Sequence, residues 1–263
     1  MTETTESSRT VTILAGQIDI PLTRNRKRME DHVVEMVSSL DRRLGERSAD
    51  MVVLPELSTI EYSRESFDQL DELAGSPDAS CFNPISKLAI AHDAWIVFGM
   101  PRHDDGRFYI SQVVVDPAGH FLGCYDKLHI CQYGASMEKE YYQRGQNLCV
   151  FEVNGLKFAP IICYDIRIPE LSRTLTLKHG VDCILHCGAY FRDESFATWH
   201  AFATTRALEN QVYLLSLNRA GADYGNSVFC QPWMDDDHPA TVIRPWARPR
   251  PEDHGPCRCG IEV

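Results

Sequence analysis

Short apolar runs alternate with amphipathic stretches along this chain, and tight-turn residues separate several of them. Val11 to Ala15, Met51 to Leu54, Trp95 to Gly99, Asp182 to Cys187 and Val212 to Leu217 read as buried strands. Asn25 to Leu44 reads as a helix, with Met29, Val33, Met36, Val37, Leu40 and Leu44 on one stripe and Gly45 at its end. Asn83-Pro84 opens another helix, Pro169 starts one that stops near Gly180, and Ser195 to Asn210 forms a further one. Ile110 to Val115 and His120 to Tyr125 flank Asp116-Pro117-Ala118-Gly119, a turn sequence. Leu148 to Val153 and Leu156 to Cys163 flank Asn154-Gly155, so a second hairpin is predicted there. Strands alternating with helices predict an α/β fold, and the hairpins make its sheets mixed rather than wholly parallel. Nothing reads as a linker or repeat, so one domain is expected over 1–263, with a disordered leader at 1–9 and an irregular tail at 244–263. Pro245, Pro249, Pro251 and Pro256 forbid regular structure over most of that tail, leaving Gly260 to Val263 as its candidate strand.

Charge and cysteine content narrow the partners. The 26 basic and 37 acidic residues give a formal net charge of −11, which argues against nucleic acid or an anionic membrane. No run approaches the ~18 apolar residues of a membrane span. Met1 to Arg9 lacks the basic start and apolar core of a signal peptide, so ten cysteines read as reduced thiols and a cytoplasmic location is expected. Cys183 and Cys187 flank His186 in an apolar run, where alternation puts both thiols on one strand face and the ring off it; core packing is the simpler reading. Cys257-Arg258-Cys259, near His254, has one intervening residue where zinc sites use about two to four. No metal and no cofactor is expected.

Chemically capable residues stand at three strand ends. Glu56 lies in Leu54-Pro55-Glu56-Leu57-Ser58, Lys127 in Tyr125-Asp126-Lys127-Leu128-His129, and Cys163 in Ile161-Ile162-Cys163-Tyr164-Asp165-Ile166-Arg167. A thiol with an ordinary pKa of about 8.5 is mostly protonated at neutral pH and needs activation. A carboxylate can take its proton and later return it to a leaving nitrogen, and an ammonium can stabilise the oxyanion formed on attack. Glu56, Cys163 and Lys127 would fill those roles, with backbone N–H groups of the helix after Cys163 adding to the field. Singly, each residue has an ordinary explanation, and a cysteine ending an apolar run is often a core filler.

The surrounding residues add a resemblance. Pro55-Glu56, Tyr125-Asp126-Lys127-Leu128-His129 and Cys163-Tyr164-Asp165-Ile166-Arg167-Ile168-Pro169-Glu170 occur in the order found in the nitrilase superfamily of carbon–nitrogen hydrolases. The spacings are similar too, 71 residues from Glu56 to Lys127 and 36 from Lys127 to Cys163. Trp199 with Arg206 to Gln211, and Asn218-Arg219-Ala220-Gly221, extend the likeness over roughly residues 11 to 243. The resemblance implies an α-β-β-α sandwich with two mixed β-sheets, a Glu-Lys-Cys triad acting through a thioester, and a homodimer or larger homo-oligomer. It also implies a second glutamate seven residues ahead of a glycine. Glu138 before Gly145 fits, Glu140 is the other register, and a solvated charge cluster is the plain alternative.

The substrate is less legible. Tyr164-Asp165 after the cysteine resembles the amidase-like branch, whereas family nitrilases carry Trp-Glu there. A small-molecule amide is therefore expected, with an N-carbamoyl amine or amino acid as the alternative. Arg167 could hold a substrate carboxylate or pair with Glu170 or Asp165. Tyr62, His129, Tyr164 and Tyr190 are candidate substrate contacts, and Trp199 reads more as core. Readings from other classes are a non-catalytic binding relative, disfavoured by retention of all three residues, and a redox-sensing thiol protein.

Overall fold

Parallel pairing at the centre and antiparallel strands toward both edges build each of two sheets. The computed structural model describes residues 9–131 and 136–233, with the backbone alone of 241–242 and 261–262. The expected leader, except Arg9, and most of the expected tail, including His254 and Cys257-Arg258-Cys259, lie outside the described residues.

In chain order the elements are β1 (Thr12–Ala15), α1 (Arg26–Glu46), β2 (Met51–Val53), α2 (Arg64–Phe67), α3 (Leu70–Leu73), α4 (Asn83–His92), β3 (Trp95–Asp104), β4 (Arg107–Val115) and β5 (Phe121–Asp126). They continue with α5 (Glu138–Tyr141), β6 (Phe151–Val153), β7 (Leu156–Ile162), α6 (Pro169–His179), β8 (Cys183–Gly188), α7 (Phe196–Asn210), β9 (Tyr213–Asn218), β10 (Val228–Cys230), β11 (Thr241–Val242) and β12 (Ile261–Glu262). One six-stranded sheet has the order β12-β1-β2-β3-β4-β5, the other β11-β10-β9-β8-β7-β6. β1, β2 and β3 run parallel, as do β7, β8 and β9. β12 pairs antiparallel with β1, so the candidate strand in the tail is formed.

Local chemistry accounts for most boundaries. Asn25 caps α1 by accepting the Arg28 amide at 2.9 Å. Burial follows the expected stripe, except that His32 is buried and Val37 is not. Gly45 does not end the helix as expected; the last turn runs on to Glu46 and closes through Arg47 N to Arg43 O. β3 also runs past its expected end at Gly99. Asp105 and Gly106, at φ 46° and 70°, turn it back as β4 in continuous register from Ile96↔Val115 to Asp104↔Arg107. Asn154 and Gly155, at φ 51° and 78°, make the same kind of turn between β6 and β7.

The sheets pack face to face. Ile13, Val53, Val97 and Val114 of one sheet share an apolar layer with Phe158, Cys183, Leu185, Cys187, Leu215 and Leu217 of the other. Cys183 and Cys187 are thus core residues. The intervening strand residues, such as Val52, Ile96, Ile184 and Leu214, join the cluster that contains the apolar stripes of α1, α4, α6 and α7. The result is an α-β-β-α sandwich.

Gly99 in β3 supports the loop after β2. A Cβ there would lie 2.4 Å from both Leu57 N and Pro55 O. Ser58 Oγ donates to Gly99 O at 3.0 Å and accepts from Gly99 N at 3.0 Å, and Thr59 N donates to Gly99 O at 3.2 Å, so strand and loop are in direct contact. Gly99→Ala is therefore expected to destabilise the protein by about 1–3 kcal/mol through overpacking. A thermal melt checks this, and an unchanged Tm would show that the loop yields freely.

Candidate active site

Strand ends from both sheets, together with the short helix α5, deliver four candidate side chains to one place. Glu56 follows β2 in a loop whose next residue, Leu57, sits at φ 48°, a conformation uncommon outside glycine. Lys127 follows β5 directly, its backbone N donating to Ile110 O at 2.9 Å and its carbonyl accepting from Gly145 N at 2.9 Å. Glu138 opens α5. Cys163 follows β7 at φ 45° and begins a 3-10 turn, Cys163–Arg167. That turn separates Cys163 from Pro169 at the start of α6, so the helix N-terminus expected beside the thiol is displaced from it.

The charges at the polar centre pair with one another. Lys127 Nζ donates to Glu56 Oε1 at 2.8 Å and to Glu138 Oε1 at 2.7 Å, and both ion pairs have no exposed side-chain surface. The second oxygen of Glu56 accepts the Ala189 amide at 2.9 Å, and that of Glu138 accepts the Cys131 amide at 2.8 Å. Tyr62 OH donates to Glu138 Oε1 at 2.8 Å. Glu140 instead pairs with Arg64 at the surface, at 2.7 Å, so the structure brings Glu138 and not Glu140 to the lysine. The Cys163 carbonyl faces two groups, Tyr190 OH at 2.8 Å and His186 Nε2 at 2.9 Å.

Burial and mutual charge set the protonation states. Burial raises the Glu56 carboxyl to about 7, against the pull of the Lys127 charge and with a further push from Glu138. Hydrogen bonds from Lys127 and the Cys163 thiol offset part of that rise. The Cys163 thiol is held well above its ordinary value by burial and then by the Glu56 charge, with Lys127 opposing. Burial alone would lower Lys127, but Glu138 and Glu56 together hold it well above its ordinary value. A neutral thiol, a carboxyl that exchanges its proton near neutrality and a fixed ammonium can perform nucleophilic acyl transfer.

Tyr62, Glu138, Cys163, Tyr164, Arg167 and Tyr190 line a cleft of about 320 Å³. His129 is not among its lining residues. Its ring Nδ1 lies 2.7 Å from Asp165 Oδ1 and its amide donates to the same oxygen at 2.9 Å. Asp165, fully buried, also accepts from Tyr125 OH at 2.7 Å and Ile162 N at 3.0 Å, tying the lysine motif to the cysteine turn. Arg167 lies over the Phe202 ring at 4.9 Å and the Tyr164 ring at 5.8 Å, and donates to Thr198 Oγ1 at 3.4 Å. Trp199 is buried and donates to Ser216 Oγ at 2.7 Å, as befits a core residue.

Several groups escaped the sequence reading. Asp165 stood in a quoted motif, but its buried acceptor role shows only in its contacts. The amides of Ala189 and Cys131 carry no side-chain signal at all. Phe191, Asp193 and Tyr224 also line the cleft. Among the described residues no group of three or more His, Cys, Asp or Glu is placed to hold a metal ion.

Comparison with known proteins gives a consistent result. Residues 11–236 match the family described as carbon-nitrogen hydrolase. The 2-oxoglutaramate amidase of Bacillus subtilis is 32% identical over 193 residues, 71% of this chain and 72% of that one. The omega-amidase of Xenopus tropicalis is 28% identical over 206 residues, 74% of this chain and 73% of that one. Among solved structures, Nit3 of Saccharomyces cerevisiae, of the nitrilase superfamily, superposes with TM-score 0.74 at 22% identity, covering 86% of this chain and 83% of that one. XC1258 of Xanthomonas campestris superposes with TM-score 0.76 at 20% identity, covering 97% and 90%.

Lys127→Met would leave two buried carboxyl groups without their counter-charge, a change that costs about 3–5 kcal/mol in comparable buried pairs. Losing the cation raises Glu56 further. A raised carboxyl contributes stability below its unfolded pKa that is lost as pH rises through the folded one. Thermal melts of this variant are expected to show a larger Tm deficit at pH 8 than at pH 6. A deficit independent of pH would count against the charge account.

Proposed function

We propose that this chain, which belongs to the carbon–nitrogen hydrolase family, hydrolyses the carbon–nitrogen bond of a small linear amide and releases ammonia. The observation that carries this reading is the buried Glu56–Lys127–Glu138 cluster beside Cys163, at a cleft of about 320 Å³, a size suited to a small molecule. Relatives named as amidases, and the Tyr164-Asp165 pair after the cysteine, favour an amide over a nitrile.

In this mechanism Glu56 takes the thiol proton as Cys163 Sγ attacks the amide carbon, and the Lys127 ammonium stabilises the oxyanion. Glu56 then gives its proton to the leaving nitrogen, ammonia departs and a thioester remains. Water attacks the thioester with Glu56 again as base, freeing the acid product and the thiol. Glu138, itself bonded by the Tyr62 hydroxyl, shares Lys127 with Glu56. An N-carbamoyl substrate would use the same groups, with Arg167 among the residues lining the cleft around it.

Intact-mass spectrometry during turnover of a panel of amides and N-carbamoyl compounds, with ammonia followed in parallel, tests the reading. An acyl adduct is expected on the wild type and absent from Cys163→Ala, its mass naming the acyl group. Neither adduct nor ammonia across the panel would overturn the amide proposal. The base must be ionised to act, so with Glu56 raised to about 7, kcat/KM is expected to fall roughly tenfold per pH unit below that value. A profile flat down to pH 5 would remove Glu56 from the role of base.

A further inference from the structure

The backbone of Cys163 has to be held in place as well as its thiol. A non-glycine residue at φ 45° is strained and persists where its surroundings over-determine it. Here the strained residue's own carbonyl is the group restrained, by the Tyr190 hydroxyl at 2.8 Å and His186 Nε2 at 2.9 Å. Neither His186 nor its support is used in the reaction steps above.

The direction of each hydrogen bond around His186 can be worked out. A carbonyl only accepts, so His186 Nε2 carries the proton it donates to Cys163 O. Burial lowers the His186 pKa to about 4, so the ring is neutral near pH 7 and its Nδ1 is bare. Ser216 Oγ, 2.7 Å away, must therefore donate to Nδ1. That leaves the serine oxygen free to accept from Trp199 Nε1, which can only donate and lies at 2.7 Å. His186, Ser216 and Trp199 are all buried, so no water competes for these bonds. The Tyr190 ring stacks on Trp199 with centroids 4.8 Å apart and planes 5° from parallel. Both donors to the Cys163 carbonyl are thus braced by the same tryptophan.

We infer that His186 is a positioning residue for the nucleophile: held by the Trp199–Ser216 chain, it and Tyr190 clamp the Cys163 carbonyl and so fix the turn that aims the thiol. This rests on the reading of Cys163 as nucleophile. The apolar strand position of His186 hides the role in the sequence, where the ring reads as core.

The test compares wild type, His186→Leu, His186→Gln and Tyr190→Phe. Two readouts are taken: kcat and KM for a turned-over amide, and the rate of Cys163 alkylation by iodoacetamide, followed by peptide mass with Cys163→Ala as control. His186→Leu is expected to lower both kcat and the alkylation rate by about tenfold, the effect of about 1.4 kcal/mol, with KM within about twofold of wild type. His186→Gln, which keeps a donor, should recover most of the loss, and Tyr190→Phe should lower both rates in the same direction. A merely structural role would lower Tm and leave the alkylation rate of folded protein unchanged. That result, or equal impairment in the Leu and Gln variants, would overturn the inference. If His186→Leu does not fold, Ser216→Ala removes the donor to Nδ1 with a smaller change of volume, and a wild-type alkylation rate there would overturn it equally. If the wild type turns over no amide, the amidase reading fails while the alkylation arm still decides the clamp.

Discussion

An ammonium with no exposed surface persists in a folded protein only where opposite charge replaces the water it has lost. Lys127 meets that condition between Glu56 at 2.8 Å and Glu138 at 2.7 Å. Desolvating such ions costs several kcal/mol each, recovered only when the remaining lone pairs are satisfied as well. The Ala189 and Cys131 amides and the Tyr62 hydroxyl provide those bonds. Burial raises the Glu56 carboxyl to about 7 against the pull of Lys127, and the nearby Glu138 charge adds to the rise. A group poised there can both accept and return a proton near neutral pH.

The sandwich brings these partners together from opposite sheets. Glu56 and Lys127 leave β2 and β5 of one sheet, while Cys163 and Ala189 leave β7 and β8 of the other. Bonds across the same seam hold the sheets in register: Ser227 Oγ donates to Gln17 Oε1 at 2.6 Å, Ala220 N to Ile18 O at 2.7 Å, and Arg219 pairs with Glu61 at 2.8 Å. Left-handed backbone occurs at Leu57 and Cys163, beside the base and at the thiol. Strain gathered at such points is tolerated because packing on both sides over-determines it.

Elements whose signal is local were legible before any coordinates. Asn25 capped its helix, Asn154-Gly155 turned its hairpin and Gly180 ended α6, at φ 66°, because each depends on one or two residues and their own backbone. Asp105-Gly106 carried the same kind of signal as Asn154-Gly155, so the full length of β3 was there to be read. Gly45 misled because a glycine costs a helix only about 1 kcal/mol, and nothing beyond it stopped the last turn.

By itself the sequence determined the longer strands and helices and the mixed character of the sheets, and it singled out Glu56, Lys127 and Cys163 as candidates, since periodicity and motif are properties of neighbouring residues. The resemblance already favoured Glu138 over Glu140, but tertiary structure alone decided that Glu138 lies against the lysine, that His129 turns to Asp165 and not to the cleft, and that His186 closes on the Cys163 carbonyl. Those outcomes turn on distances between residues far apart in the chain and on which polar groups lose their water, and neither is written in any local run of amino acids.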